Sequence, residues 1–174
     1  FYAESGGQVS DTGKIYNAAF EVEITDVRKM DDYYLHYGNL TRGMLNNAPV
    51  TAEIDIARRK SIARNHTATH LLHKALREVL GEHTVQKGSL VHPDYLRFDF
   101  AHFRSLTLEE LRKVEDIVNQ IVLDNRKVST TVKNIEDAKK EGAMALFGEK
   151  YSERVRVVSV QDFSQELCGG THIS

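Results

Sequence analysis

The chain has 174 residues, 41% of them hydrophobic, with a single cysteine and a formal net charge of −2 from 23 basic and 25 acidic side chains. That apolar share is enough for one large domain or two small ones and sets disorder aside, while the near balance of charge offers no overall field for a polyanion, so any nucleic-acid contact must be local. No apolar run approaches the ~18 residues of a membrane span, no basic and then hydrophobic leader opens the chain, and a lone cysteine cannot close an internal disulfide, so a soluble cytoplasmic protein with its thiol available is the expectation.

The chain opens on Phe1-Tyr2 where an initiator methionine would stand, which suggests a piece of a longer protein. Residues 1–57 read as β structure. Short apolar runs (Phe20 to Ile24, Tyr34 to Tyr37, Val50 to Asp55) are punctuated by Gly6-Gly7, Gly13, Gly38, Gly43 and Asn46-Asn47-Ala48-Pro49, a texture that predicts a small β-barrel subdomain. At Arg58 the texture changes. Ser61 to Leu80 carries Ile62, Leu72, Leu76 and Val79 at helical spacing and stops at Gly81, a suitable left-handed cap. Gln86-Lys87-Gly88-Ser89 reads as a polar loop and Tyr95 to Phe100 as a strand. Thr107 and Glu110 form a capping box for a helix reaching about Arg126, with Leu111, Val114, Ile117, Val118 and Ile121 on one buried stripe. Val128 to Val132, Ile135 to Glu141 and Val155 to Val160 follow as strand, short helix and strand. Residues 58–174 therefore predict a two-layer α/β sandwich with a mainly antiparallel sheet, an α+β fold behind the barrel.

Two motifs carry chemistry. His66 and His70 stand four apart within the first helix, about 6 Å in rise and on one side, and Cys168 stands four before His172 in Cys168-Gly169-Gly170-Thr171-His172. Together they are a complete ligand set for one zinc ion. The alternative is that the histidines pack on an amphipathic helix and Cys168 is a small buried hydrophobe. His73 shares the same face, but its ~10 Å rise from His66 makes it a surface residue or a support behind the ligands. Thr67 stands where a zinc protease of the H-E-x-x-H type needs glutamate, which excludes that route. Basic clusters at Arg58, Arg59, Lys60 and Arg64, at Arg126 and Lys127, and at Lys139 and Lys140 are either solvated surface or phosphate contacts.

Several segments, in order across nearly the whole chain, carry a family resemblance: Phe1 to Gln8 with Asp11-Thr12-Gly13, Arg64 to Leu72, Gln86 to Leu90, Arg97 to Phe100, Gly142 to Tyr151 and Cys168 to His172. They resemble the editing domain of bacterial alanyl-tRNA synthetase, related to that of threonyl-tRNA synthetase. The resemblance implies a small barrel followed by a deacylase domain. It implies hydrolysis of the ester that joins serine or glycine to tRNA(Ala). Zinc would be held by His66, His70, Cys168 and His172, with Gln86 at the editing pocket and Thr12 sensing the serine hydroxyl. Partners would be mischarged tRNA(Ala) and the rest of the synthetase, whose ATP-binding aminoacylation core would lie upstream, with no membrane involved.

Such a site has a physical reason. A pocket shaped for alanine excludes large side chains but rejects serine and glycine poorly, so a second hydrolytic sieve is the remedy. Zinc with four protein ligands is closed, which leaves two mechanisms open: an exchangeable position that takes the substrate amine or a water, or an anchor for a pocket where Gln86 and loop N–H groups orient water and hold the oxyanion. His102, Asp99 and Glu149 are the available bases. A free-standing alanyl-tRNA editing protein and a non-catalytic, zinc-stapled tRNA-binding module are the alternative readings.

Overall fold

In the computed structural model, which describes residues 1–145 and 152–174, four strands precede the first helix: β1 (Gly13–Tyr16), β2 (Phe20–Met30), β3 (Tyr33–Gly43) and β4 (Thr51–Ile54). They form one antiparallel sheet in the order β3-β2-β1-β4, with register shifts between Glu21 and Val22 and between Ile24 and Asp26 of β2. Asp31 turns the long β2–β3 hairpin at φ 54°, a left-handed conformation that aspartate tolerates. One face packs Ala3, Ile24 and Val27 against Phe1, Ile15 and Val22, so the apolar runs read from the sequence become a one-sided core. Among the described residues no pairing joins β3 to β4, so the hydrogen-bonded ladder has two open ends where a closed barrel would have none.

Helix α1 (Ile56–Leu80) starts five residues before the Ser61 expected from apolar spacing. Its cap is the reason. The Asp55 carboxylate accepts the Arg58 N–H at 2.9 Å, and the polar first turn that hides the periodicity is already helical. At the other end Gly81 has φ 108° and ψ 164°, outside the left-handed well expected of it but within glycine's range.

Next come β5 (Gln86–Val91), β6 (Leu96–Phe100), α2 (Leu108–Leu123), β7 (Val128–Asn134), α3 (Ile135–Lys140), β8 (Arg154–Val160) and β9 (Ser164–Leu167). β5 pairs with β6 in a two-stranded antiparallel sheet, and β7-β8-β9 form a third, three-stranded antiparallel sheet. The Gln86 loop is thus a strand, with an irregularity between Gln86 and Gly88. Its polar, glycine-bearing sequence hides the pairing of Ser89 with Phe98 and Leu90 with Arg97. β9 also lay outside the sequence reading, because four residues are too short to show a period. The capping box of α2 is present: Thr107 Oγ1 accepts the Glu110 N–H at 3.2 Å and Glu110 accepts the Thr107 N–H at 2.8 Å. Its stripe is narrower than expected. Val114 and Ile121 are buried, whereas Leu111 is 49% exposed because α1 covers only one side of the helix. Ala75, Leu76 and Val114 join the two helices, and Leu71 clusters with Ile121 of α2 and with Val128, Val158 and Val160 of the sheet. Leu71→Ala would cost ~2–5 kcal/mol by the usual cavity penalty.

Candidate metal centre

The start of α1 is pinned to the N-terminal segment. Arg59 forms an ion pair with the buried Asp11 carboxylate, which also accepts the Tyr2 N–H at 2.6 Å, and Arg58 donates to the Ser10 carbonyl at 2.6 Å. Burial works to raise the Asp11 carboxyl, but the hydrogen bonds from Arg59 and Tyr2 outweigh it and hold the group below its ordinary range. Two of the basic residues weighed as phosphate contacts are therefore structural. Arg126 is committed as well, to Asp124 and to the Gln161 and Asp162 carbonyls, and Lys139 pairs with Glu136.

With the helix so placed, His66 and His70 face inward at 5% and 4% exposure. Cys168 follows β9 directly. Its loop is held by Arg156 of β8, which donates to the Cys168 carbonyl at 3.0 Å and to the Gly170 carbonyl, while the Cys168 N–H bonds the Arg156 carbonyl at 3.0 Å. The donor atoms of His66, His70, Cys168 and His172 all lie within 4.8 Å of one another. Cys168 Sγ is 3.4 Å from His66 Nε2 and 3.3 Å from His172 Nε2, and the Gly170 N–H donates to it at 3.4 Å.

The chemistry of the set fits a cation. Burial, with neighbouring His70 and Arg156 adding to it, pushes His66 down to about 3, and burial likewise lowers His70 and His172, so the imidazoles are neutral with lone pairs available. Buried His70 Nδ1 has no hydrogen-bond partner, the mark of a group a ligand would complete. The surrounding polar groups orient the rings. His66 Nδ1 lies 2.7 Å from Gln8 Oε1, His172 Nδ1 3.1 Å from Thr67 Oγ1, and His70 Nε2 3.7 Å from Glu166 Oε2. His73 is not a member of the set: buried behind it, its Nδ1 is 3.2 Å from Glu166 Oε1.

The cluster opens on a cleft of about 270 Å³ whose wall includes His66, His70, Cys168, Gln86, Ser89 and Glu166. Gln86 Nε2 donates to Ser89 Oγ at 3.1 Å. Thr12 is elsewhere. It lines a separate groove over the β1–β4 sheet with Lys14, Glu23 and Glu53, and its carbonyl accepts the Asp55 N–H at 2.8 Å. Asp99 is engaged by Arg97 and His102 lies 3.1 Å from His83, and neither lines the cleft; Glu149 lies outside the described residues. Gln8, Thr67, Arg156 and Glu166 were not singled out from sequence for a role at the site. Gln8 and Thr67 sat inside quoted motifs, and the charge of Glu166 next to Leu167-Cys168 was the one available signal for it.

Residues 1–58 match the family of class II (A) tRNA synthetases. Over 99% of its length the chain is 57% identical to the alanine–tRNA ligase of Pelotomaculum thermopropionicum and 54% identical to that of Fusobacterium nucleatum. Over its full length it is 55% identical to that of Acetivibrio thermocellus. It spans about a fifth of these relatives, 20% of each. With identity above one half sustained across essentially every residue, the chain belongs to the alanine–tRNA ligase family.

Proposed function

We propose that this chain is a cytoplasmic deacylase module that hydrolyses the ester joining serine or glycine to tRNA(Ala), with zinc held by His66, His70, Cys168 and His172. One observation carries the reading: four candidate donor atoms lie within 4.8 Å of one another, and three of their residues, His66, His70 and Cys168, line one cleft with Gln86, in a chain whose relatives are alanine–tRNA ligases. Zinc bonds of ~2.0–2.1 Å to nitrogen and ~2.3 Å to sulfur give sulfur–nitrogen tetrahedral edges of ~3.5–3.6 Å. The 3.3 and 3.4 Å separations of Cys168 Sγ from the two Nε2 atoms are within ~0.3 Å of that edge. The cleft, at about 270 Å³, is just under the ~300–1,000 Å³ of ordinary ligand pockets, which suits the aminoacyl end of a much larger substrate.

A zinc bound there would supply Lewis acidity beside the ester. The chain's own groups divide the remaining work. Gly170 and Thr171 spend their N–H groups on Cys168 Sγ and Gln8 Oε1, so these amides position the ligands and do not face an oxyanion. That leaves the Gln86 amide, steadied by Ser89, to orient water or the ester oxygen. Thr12 borders another groove, so discrimination between serine and alanine falls to the polar lining of the cleft itself.

The test is deacylation of Ser-, Gly- and Ala-tRNA(Ala) by the wild-type chain and Cys168→Ala. Serine and glycine esters should be cleaved faster than alanine, and Cys168→Ala should abolish the excess. A chain that binds zinc and tRNA yet leaves all three esters at their spontaneous rate is instead a structural staple, the reading that a closed four-donor set favours.

A further inference from the structure

Gln8 is completely buried, in a loop laced to β5 by the Val91 N–H to the Gly7 carbonyl at 2.8 Å and the Val9 N–H to the Val91 carbonyl at 3.1 Å. Its Oε1 accepts the Thr171 N–H at 2.8 Å and the Thr171 hydroxyl at 3.2 Å, and lies 2.7 Å from His66 Nδ1. The two ends of a glutamine amide look alike, but a backbone N–H can only donate, so the atom facing Thr171 is the oxygen. An amide oxygen can only accept, so His66 Nδ1 carries the ring hydrogen. A neutral imidazole has one such hydrogen, which leaves Nε2 bare, and Nε2 is the nitrogen 3.4 Å from Cys168 Sγ.

We propose that Gln8 is a positioning residue that locks His66 in its Nδ1–H tautomer, so that Nε2 is the metal-donor atom and the N-terminal loop is tied to the Cys168–His172 ligand loop. The inference rests on the zinc reading above. Two further observations support it. Gln8 Nε2 is buried without a hydrogen-bond partner, so the residue is not there to fill space, which an apolar side chain would do without stranding a donor. Gly170 leaves no room beside the pair, since a Cβ there would sit 2.9 Å from Gln8 Oε1 and 2.0 Å from His66 Cε1.

The direct measurement is ¹⁵N–¹H NMR of the histidine rings in the wild-type chain without metal at neutral pH, together with zinc affinity by chelator competition. His66 should show a protonated Nδ1 and a bare Nε2. Wild type that binds zinc but shows the Nε2–H tautomer overturns this inference alone, whereas wild type that binds no zinc under replete conditions overturns the zinc reading with it. Gln8→Leu should weaken zinc by ~10–100-fold, the usual worth of an outer partner to a ligating histidine, while Gln8→Glu keeps the acceptor and should stay within a few fold of wild type. Equal affinity in Gln8→Leu and wild type, or equal losses in both variants, would overturn the assignment. Should Gln8→Leu fail to fold, the tautomer in wild type still decides.

Discussion

Replacing Gly170 by alanine adds one methyl group at a tight point of the candidate metal centre. Gly170 has no positive φ, so the backbone accepts alanine and the effect is steric alone. The new Cβ would lie 2.0 Å from His66 Cε1 and 2.3 Å from Nδ1. Against a carbon–carbon contact of ~3.5 Å the ring must retreat by ~1.5 Å. Ligand positions tolerate about 0.2 Å, so His66 is lost as a donor and zinc affinity should fall by at least ~100-fold. The metal-free chain should lose ~1–3 kcal/mol to overpacking, which at ~2–4 °C per kcal/mol for a chain of this size is ~2–12 °C in Tm. Gly169→Ala is the matched control: its Cβ would meet nothing within 4 Å and its φ is not positive, so affinity and Tm should hold. Chelator competition and thermal melting read both quantities. If Gly170→Ala binds zinc as tightly as wild type, the ligand loop is not packed against His66 as described.

Cys168→Ala removes the sulfur nearest two imidazole nitrogens, and elemental analysis should find about one zinc per chain in wild type and the ion largely gone in that variant. Gln86→His should slow hydrolysis of Ser-, Gly- and Ala-tRNA(Ala) together, because the cleft amide would act on the ester and not on the side chain; a loss confined to serine would reassign Gln86 to specificity. Thr12→Val should leave the serine-to-alanine rate ratio within about twofold, well inside the ~10-fold worth of one hydrogen bond, since Thr12 borders a different groove. Asp11 sets a pH dependence. Its folded carboxyl lies below the unfolded value, so its stabilisation is present above the ordinary carboxylate range and lost as pH falls through the folded value. Urea unfolding of the metal-free chain should show that acid slope, and Asp11→Asn should flatten it while costing ~1–3 kcal/mol at neutral pH; an unchanged slope would mean that the Arg59 pair does not act on folding.

Much of this protein is written locally. Thr107 with Glu110, and Asn134, mark helix starts because a cap is a contact between near neighbours, and Cys168-Gly169-Gly170-Thr171-His172 declares a ligand loop because thiolate, imidazole and glycine have few other reasons to stand so close. The four candidate donors that the structure gathers were legible for the same reason, each pair lying within one helix turn or one short loop. What the local pattern could not carry is whatever depends on a partner far along the chain. Gln86 to Val91 has no alternation of its own and is a strand because β6 pairs with it, and Gln8 takes its place at His66 across 58 positions and at Thr171 across 163. Thr12 stood near Gln8 in sequence yet lines a separate groove over the β1–β4 sheet, while the Gln8 side chain is buried against His66 and Thr171. Residue types and short spacings thus determined the donor chemistry of this protein. Only the tertiary structure decided which groups orient those donors, because hydrogen-bond direction and steric fit arise between segments that the sequence does not place side by side.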